Sequence, residues 1–225
     1  MATFMEMKTS EPQIEADIYT RAQQRFADFD DPAHGWEHIN RVYQLALHIA
    51  RQENADPFIV GTAALLHDIG RLSSDTTRHH SELSAALASE FLSAYSITPA
   101  QKDAILHAIR AHSYSYGVEP QTLEARVVRD ADRLDALGAI GILRWAITGT
   151  LRRTPQTRSY HPDDPFAEWH QPDDRLFLLD HFFAKLLKLV DTMSTVTGRR
   201  IAQQRTAFMR DYLEEFRKEL KEAGV

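Results

Sequence analysis

Residues 57–71 read PFIVGTAALLHDIGR, and this run decides the fold class. It opens on Asp56-Pro57, a helix-capping carboxylate followed by the residue best suited to the first helical position. It then continues through apolar and small residues with no polar–apolar alternation. The pattern predicts a buried helix that stops at Gly70 in a left-handed C-terminal cap. Near its end the run places His67 and Asp68. A buried carboxylate is costly unless it is paired or bound to a cation, so Asp68 calls for a partner.

Outward from this run the helical period persists. Upstream, helices are predicted from about Ile14 to Phe29 and from Trp36 to about Gln52. In the second of these Ile39, Val42, Leu45, Ala46 and Ile49 recur at helical spacing, and His38 shares the face of Val42, Leu45 and Ile49. Downstream, helices are expected over His80–Tyr95, Thr98–His112, Thr122–Leu137, Ala139–Leu151, Asp174–Ser194 and Gly198–Glu222. No run of alternating Val, Ile or Thr bounded by hairpin turns occurs. The expected fold is all-α: one helical-bundle domain over residues 13–225, preceded by a flexible N-terminus over residues 1–12. Residues 152–174 break the rhythm and are expected to be a long loop insertion. That loop is either a substrate lid, with Arg152, Arg153 and Arg158 in reach of a phosphate, or a solvated connection. The last helix carries Phe208, Tyr212, Leu213 and Phe216, which suit either its own core or the face of a homodimer.

Composition narrows the chemistry. A chain of 225 residues is long enough for one substantial core. The formal charge of -6 gives no electrostatic reason to expect nucleic-acid or anionic-membrane binding over the whole surface. There is no cysteine, so disulfides, thiolate ligands and a thiol nucleophile are excluded, and any metal must be held by His, Asp or Glu. No apolar stretch is long enough to span a bilayer, and MATFMEMKTSEPQ lacks the apolar core of a signal peptide; a cytoplasmic address is the expectation.

The remaining acids of interest lie in ARVVRDADRLDALGAIG, residues 125–141. Asp130 and Asp132 stand about 200° apart on a helical wheel, so both cannot face one ion. Asp132 shares its face with Val128 and Ala136, which points it inward, and Asp135 is its neighbour at about 300°. Asp130 reads as a solvent-facing acid or one standing behind the site. Two His and two Asp offer nitrogen and oxygen ligands suited to Mn²⁺, Fe²⁺, Ni²⁺, Co²⁺ or Zn²⁺. The wheel also favours His80, near the stripe of Leu83, Leu87 and Phe91, over His79, and His112, aligned with Ile105 and Ile109, over His107.

Four phrases carry a resemblance: HGWEHINRV (34–42), AALLHDIGR (63–71), HSELSA (80–85) and RDADRLDALGAIGI (129–142). In this order and spacing they resemble the HD-domain metal-dependent phosphohydrolase superfamily, and most closely the bacterial YedJ/YpgQ-like HD hydrolases. The resemblance implies an all-helical HD-type fold with one divalent ion, Mg²⁺ also being admissible, bound by His38, His67, Asp68 and Asp132. It implies a phosphorylated small molecule as substrate, foremost a nucleotide, with cleavage of a (deoxy)nucleoside triphosphate to monophosphate and pyrophosphate as the leading form. A metal-activated water would attack phosphorus, and cations would stabilise the equatorial oxygens. Arg41 and Arg71 are the expected cations, with Arg133 a weaker candidate; His80 and His112 are expected to contact substrate or, less simply, a second metal. Asp68 is expected to orient the water and Asp135 to serve proton transfer or a sugar hydroxyl. One departure stands out: members of the superfamily often carry Glu four residues after the HD histidine, and Arg71 stands there instead. It removes the obvious general acid and favours a polyanionic substrate. Two alternatives remain: a di-iron oxygenase of the same superfamily and a non-catalytic nucleotide-binding regulatory domain.

Overall fold

The computed structural model describes residues 10–224. Of the segment expected to be flexible, residues 1–9 lie outside the described residues, and Ser10 already caps the first helix. The fold is all-α: among the described residues there is no strand, only an isolated bridge between Arg158 and Phe177. The chain divides into two compact units, one ending at Ala131 and the other beginning at Asp132.

The first unit holds α1 (Glu11–Phe26), α2 (Trp36–Glu53), α3 (Pro57–Leu66), α4 (His80–Leu92), α5 (Pro99–Ala111) and the larger part of α6 (Leu123–Asp135). Helix α3 lies against α1, α2 and α5, and every residue from Val60 to Gly70 is buried. That is why its sequence is apolar all round rather than on one stripe. Its start is the expected cap: Asp56 Oδ1 accepts from the N–H groups of Phe58 at 2.9 Å and Ile59 at 3.2 Å. Helix α1 begins three residues before the apolar period does, because Gln13 Oε1 reaches back to accept from the Ser10 N–H at 3.0 Å. The same exchange between Thr98 and Gln101 opens α5.

The end of α3 differs from expectation. The α-helix stops at Leu66, and Ile69–Leu72 form a 3-10 turn in which Gly70 is not left-handed. Gly70 is required there by close approach instead. A Cβ would overlap the His80 carbonyl oxygen and stand 2.6 Å from the Ser84 nitrogen, and the Gly70 N–H donates to Ser84 Oγ at 2.9 Å. The start of α4 is thereby pressed directly against the His67-Asp68 turn.

The second unit holds α7 (Gly138–Arg152), α8 (Asp180–Ala184) and α9 (Val196–Glu222). The single helix expected over Asp174–Ser194 is a correction: it is a five-residue α8 followed by a 3-10 segment, Leu186–Thr192. The break falls at Lys185, whose φ of -137° and ψ of -59° leave the helix, while Asp180 is drawn into hydrogen bonds with His170 and the Asp173 N–H. The long loop is ordered. Its Tyr160 and Phe166 pack against Phe216 of α9, and Phe182 stacks on Tyr212, so these aromatics of α9 belong to this unit's own core. Phe208 stays half-exposed. No single described helix is long and apolar enough to cross a membrane.

Candidate metal centre

The end of α3 delivers two side chains in succession. His67 keeps helical angles and Asp68 departs from them, with φ of -111° and ψ of 11°. Both are buried, as are His38 on α2 and His112, which directly follows α5. His67 Nδ1 donates to the Ala64 carbonyl at 2.7 Å, and His112 Nδ1 donates to the Ile109 carbonyl at 2.6 Å. A carbonyl can only accept, so each proton sits on Nδ1 and each Nε2 presents a lone pair. The backbone one turn earlier thus sets the tautomer of both rings, as metal-binding histidines require.

Those lone pairs converge. His67 Nε2 lies 3.3 Å from His38 Nε2, and each is 3.8 Å from Asp68 Oδ2. On the other side of the carboxylate, Oδ1 is 3.6 Å from both His80 Nε2 and His112 Nε2. It is buried and has no hydrogen-bond partner among the described residues. A carboxylate oxygen in that condition, ringed by imidazole nitrogens, fits the ligand set of a divalent cation. The ligand atoms of His67, Asp68 and His112 all lie within 4.8 Å of one another.

The electrostatics agree. Burial alone would raise the Asp68 pKa; the Arg71 guanidinium and the rings of His67 and His112 overcome it and hold the carboxyl well below the usual range. Arg71 Nε contacts Asp68 Oδ2 at 2.6 Å while its Nη2 lies 3.4 Å from His80 Nε2. His80 is pushed down to about 3, first by burial and then by the neighbouring Arg71 and His112, against the pull of Asp68. It is a neutral ring at ordinary pH, able to accept a hydrogen bond at Nε2. A cavity of about 320 Å³ opens beside these groups and is bordered by Arg71, His80, Arg78, Asp31 and Asp75.

The structure therefore brings His38, His67, Asp68, Arg71, His80 and His112 together around one carboxylate. Arg41 is half-buried on α2, three residues after His38. Asp132 is partly buried on α6 and is the first residue of the second unit. Asp135 is buried and forms an ion pair with Arg144 at 3.2 Å. Asp130 does not face solvent; it is fully buried, a correction to that half of the wheel reading. Arg133 is tied to the backbone, donating to the Thr192 carbonyl at 2.8 Å. Outside the cluster, His79 caps α4 by accepting from the Ser81 N–H, and His107 Nε2 accepts from the Gln121 N–H at 2.9 Å.

Two groups escaped the sequence reading. His34 stands edge-on to His38 with ring centroids 5.9 Å apart and is hydrogen-bonded through Nδ1 to Asp31 at 2.8 Å. Its signal was present, since it opens the phrase HGWEH. Arg144 had no such signal, lying in a helix that reads only as amphipathic.

The comparisons with known proteins point the same way. A family model described as "HD domain" matches residues 35–137. The uncharacterized protein YpgQ of Bacillus subtilis (strain 168) is 34% identical over 197 residues, covering 85% of this chain and 86% of YpgQ. A crystal structure of Bacillus subtilis YpgQ in complex with ADP superposes with a TM-score of 0.72 at 35% identity, covering 93% of this chain and 96% of that one. An HD-superfamily hydrolase from Bacillus thuringiensis gives a TM-score of 0.74 at 30% identity, covering 94% and 99%.

Proposed function

This chain belongs to the HD-domain family of metal-dependent phosphohydrolases, and from that premise we propose that it hydrolyses nucleotides around one divalent ion held by His38, His67, Asp68 and Asp132. The leading reaction is cleavage of a (deoxy)nucleoside triphosphate to the monophosphate and pyrophosphate. The observation that carries the metal reading is the pair of facing Nε2 atoms, 3.3 Å apart, beside a buried carboxylate whose second oxygen lacks a hydrogen bond among the described residues. The ADP held by the Bacillus subtilis relative supports a nucleotide as ligand. The family match also runs across the boundary at Ala131, which supports treating residues 13–225 as one functional domain.

Bound there, the ion supplies Lewis acidity and a water acidified toward neutral pH. The chain's own groups do the rest. His67, its tautomer locked by Ala64, offers Nε2 without reorganisation; Asp68 holds its charge and orients the water by accepting from it. Arg71, positioned by Asp68, meets a phosphoryl oxygen from the cavity side, with Arg41 as a second cation. His80 Nε2 and His112 Nε2 line the substrate side, where each can accept a hydrogen bond. Asp135 serves through Arg144, which it orients.

The test is a metal-by-substrate screen. Chelator-stripped protein is reloaded with Mn²⁺, Co²⁺, Ni²⁺, Fe²⁺, Zn²⁺ or Mg²⁺ and incubated with nucleotides, and products are separated by chromatography. Metal-dependent monophosphate and pyrophosphate are expected; activity that survives full chelation, or no turnover across the panel, sinks the reading. One observation favours a second reading, a two-metal centre: His80 and His112 both stand 3.6 Å from Asp68 Oδ1. Against it, the Arg71 guanidinium already places a cation on His80. Elemental analysis decides, since a di-iron oxygenase needs two irons per chain and consumes O₂.

A further inference from the structure

Helix α4 opens on a residue that rarely opens helices. Its N-cap is His79, whereas Asn, Asp, Ser and Thr are the preferred side chains at that position. A departure from a local rule calls for a compensating gain elsewhere. The two ring nitrogens show one. His79 Nδ1 accepts from the Ser81 N–H at 3.3 Å and lies 2.8 Å from Ser81 Oγ. A backbone N–H can only donate, so Nδ1 carries no proton and Nε2 does. On the far edge of the ring, that Nε2–H donates to Ser115 Oγ at 3.0 Å, in the loop that follows α5.

The same loop touches the first turn of α4 again. The Tyr116 ring stacks on His79 with centroids 4.8 Å apart and planes 18° apart, and its Oη donates to Glu82 Oε2 at 3.4 Å. Ser113 Oγ lies 3.3 Å from Ser115 Oγ, which carries the contact back toward His112. His79 therefore joins two segments that each deliver an imidazole to one oxygen. His80 is the first residue of α4 and the neighbour of His79, with ring centroids 4.2 Å apart. The loop begins at His112. Both Nε2 atoms stand 3.6 Å from Asp68 Oδ1, and the two rings are 5.4 Å apart. Helix ends are among the first parts of a fold to open, so a side chain on a first helical residue is held only as well as that end is. Gly70 fixes the start of α4 against the His67-Asp68 turn, and His79 fixes it to the segment that carries His112. Ser or Asp would cap α4 at least as well but is too short to reach Ser115. Histidine has an acceptor and a donor on opposite edges of one rigid ring.

We infer that His79 is a positioning residue: it couples the first turn of α4 to the loop after α5 and so holds His80 and His112 at one spacing beside Asp68 Oδ1. Its effect on turnover rests on the phosphohydrolase reading; the coupling itself does not.

Stability and function should move apart when the link is cut. His79→Ser restores a preferred cap, so Tm should stay at or above that of wild type. The reach to Ser115 is lost, and kcat/KM with the nucleotide and metal that serve wild type should fall roughly three- to tenfold, the scale of one hydrogen bond. Ser115→Ala cuts the same link from an exposed position, leaves the cap intact and should give a similar fall. Ser115→Thr keeps the hydroxyl and should match wild type. The double variant should be no worse than His79→Ser alone, because both changes remove one contact. A residue that only caps α4 predicts wild-type kcat/KM in His79→Ser and in Ser115→Ala, and that result overturns the inference. Imidazole NMR signals read the coupling without turnover. Cutting either end should shift the ring on the other segment: His112 in His79→Ser, and His80 in Ser115→Ala but not in Ser115→Thr. If wild type turns over no nucleotide with any metal, the phosphohydrolase reading falls; the coupling falls with it only if both ring signals also stay in place.

Discussion

The two units each contain a cluster of His and Asp, and the clusters are built for opposite ends. In the second unit, His170 lies between Asp164 and Asp180, donating Nδ1 to one at 2.7 Å and Nε2 to the other at 2.8 Å. Asp164 also accepts the N–H groups of Glu168, Trp169 and His170, which fixes a turn containing Ala167 at a left-handed φ of 50°. Burial would raise the Asp164 pKa, but these donors hold it well below the usual range. In that cluster both ring nitrogens are donors, Asp164 accepts at both oxygens and Asp180 at Oδ2, whereas Asp180 Oδ1, like Asp68 Oδ1, is buried with no hydrogen-bond partner among the described residues. Around Asp68, the rings of His67 and His112 each spend a donor on a backbone carbonyl and turn an acceptor Nε2 toward the carboxylate, 3.8 Å and 3.6 Å away. The lesson is that residue type and proximity do not distinguish a latch from a ligand set; the direction of the protons does.

The largest expected effect breaks the comparison on the ligand side. Asp68→Asn keeps the shape and removes the charge. Metal retained after dialysis, read by elemental analysis, should fall steeply. Turnover should drop by more than about 100-fold, since even partners outside the ligand set contribute 10–100-fold. Wild-type metal content in this variant would show that the Asp68 cluster is a second latch. The reciprocal change, Asp180→Ala, leaves the His170 ring and the Asp173 N–H without an acceptor. It should lower Tm by roughly 5–10 °C, as expected for loss of a charged buried partner in a chain of this size. Metal content in the folded protein should not change.

A pH series sharpens the latch side. Burial opposes charge on His170, but Asp180 and Asp164 overcome it and raise its pKa. A raised folded value means that the stabilisation is complete below the unfolded value of about 6.5 and is lost as pH rises through the folded one. Tm of wild type should therefore decline relative to His170→Gln as pH rises above about 6.5 and through the raised folded value. Parallel curves for the two proteins would remove the imidazolium from the latch.

How much of this was legible beforehand depends on the range of the interaction involved. Helix starts were readable because capping is local: Asp56-Pro57 and Thr98-Pro99 name their own partners within three residues. The inward face of His38 was readable from period alone. The end of α3 was not, because Gly70 answers to the backbone of α4 and not to a left-handed cap. The split of the helix expected over Asp174–Ser194 was hidden for the same reason, Asp180 being claimed by a histidine ten residues upstream. At the site, the residue types of the Asp68 cluster could be named from sequence, while the tautomers of His67 and His112 and the Arg71–Asp68 contact arise only from packing. The wheel misjudged Asp130 because it assigns one wet side to a helix, and α6 is buried at that position too.

The carboxylate at the opposite end of α3 from His67 supplies the smallest and cleanest contrast. Asp56 begins α3 and is satisfied entirely by neighbouring backbone, accepting from Phe58 and Ile59. It faces neither a ring nor a fixed cation in those contacts, so it is an aspartate whose work is local. Asp56→Ala should cost about 1 kcal/mol, the usual value of an N-cap, and Asp56→Ser should recover most of it. Turnover and metal content of the folded protein should stay at wild-type levels. His67 and Asp68 are held by their own neighbours, Ala64, Arg71 and the packed start of α4, not by the far end of the helix. If uncapping α3 instead lowers metal retention along with Tm, then the centre depends on the register of the whole helix, and the Ala64 carbonyl alone does not set the His67 ring.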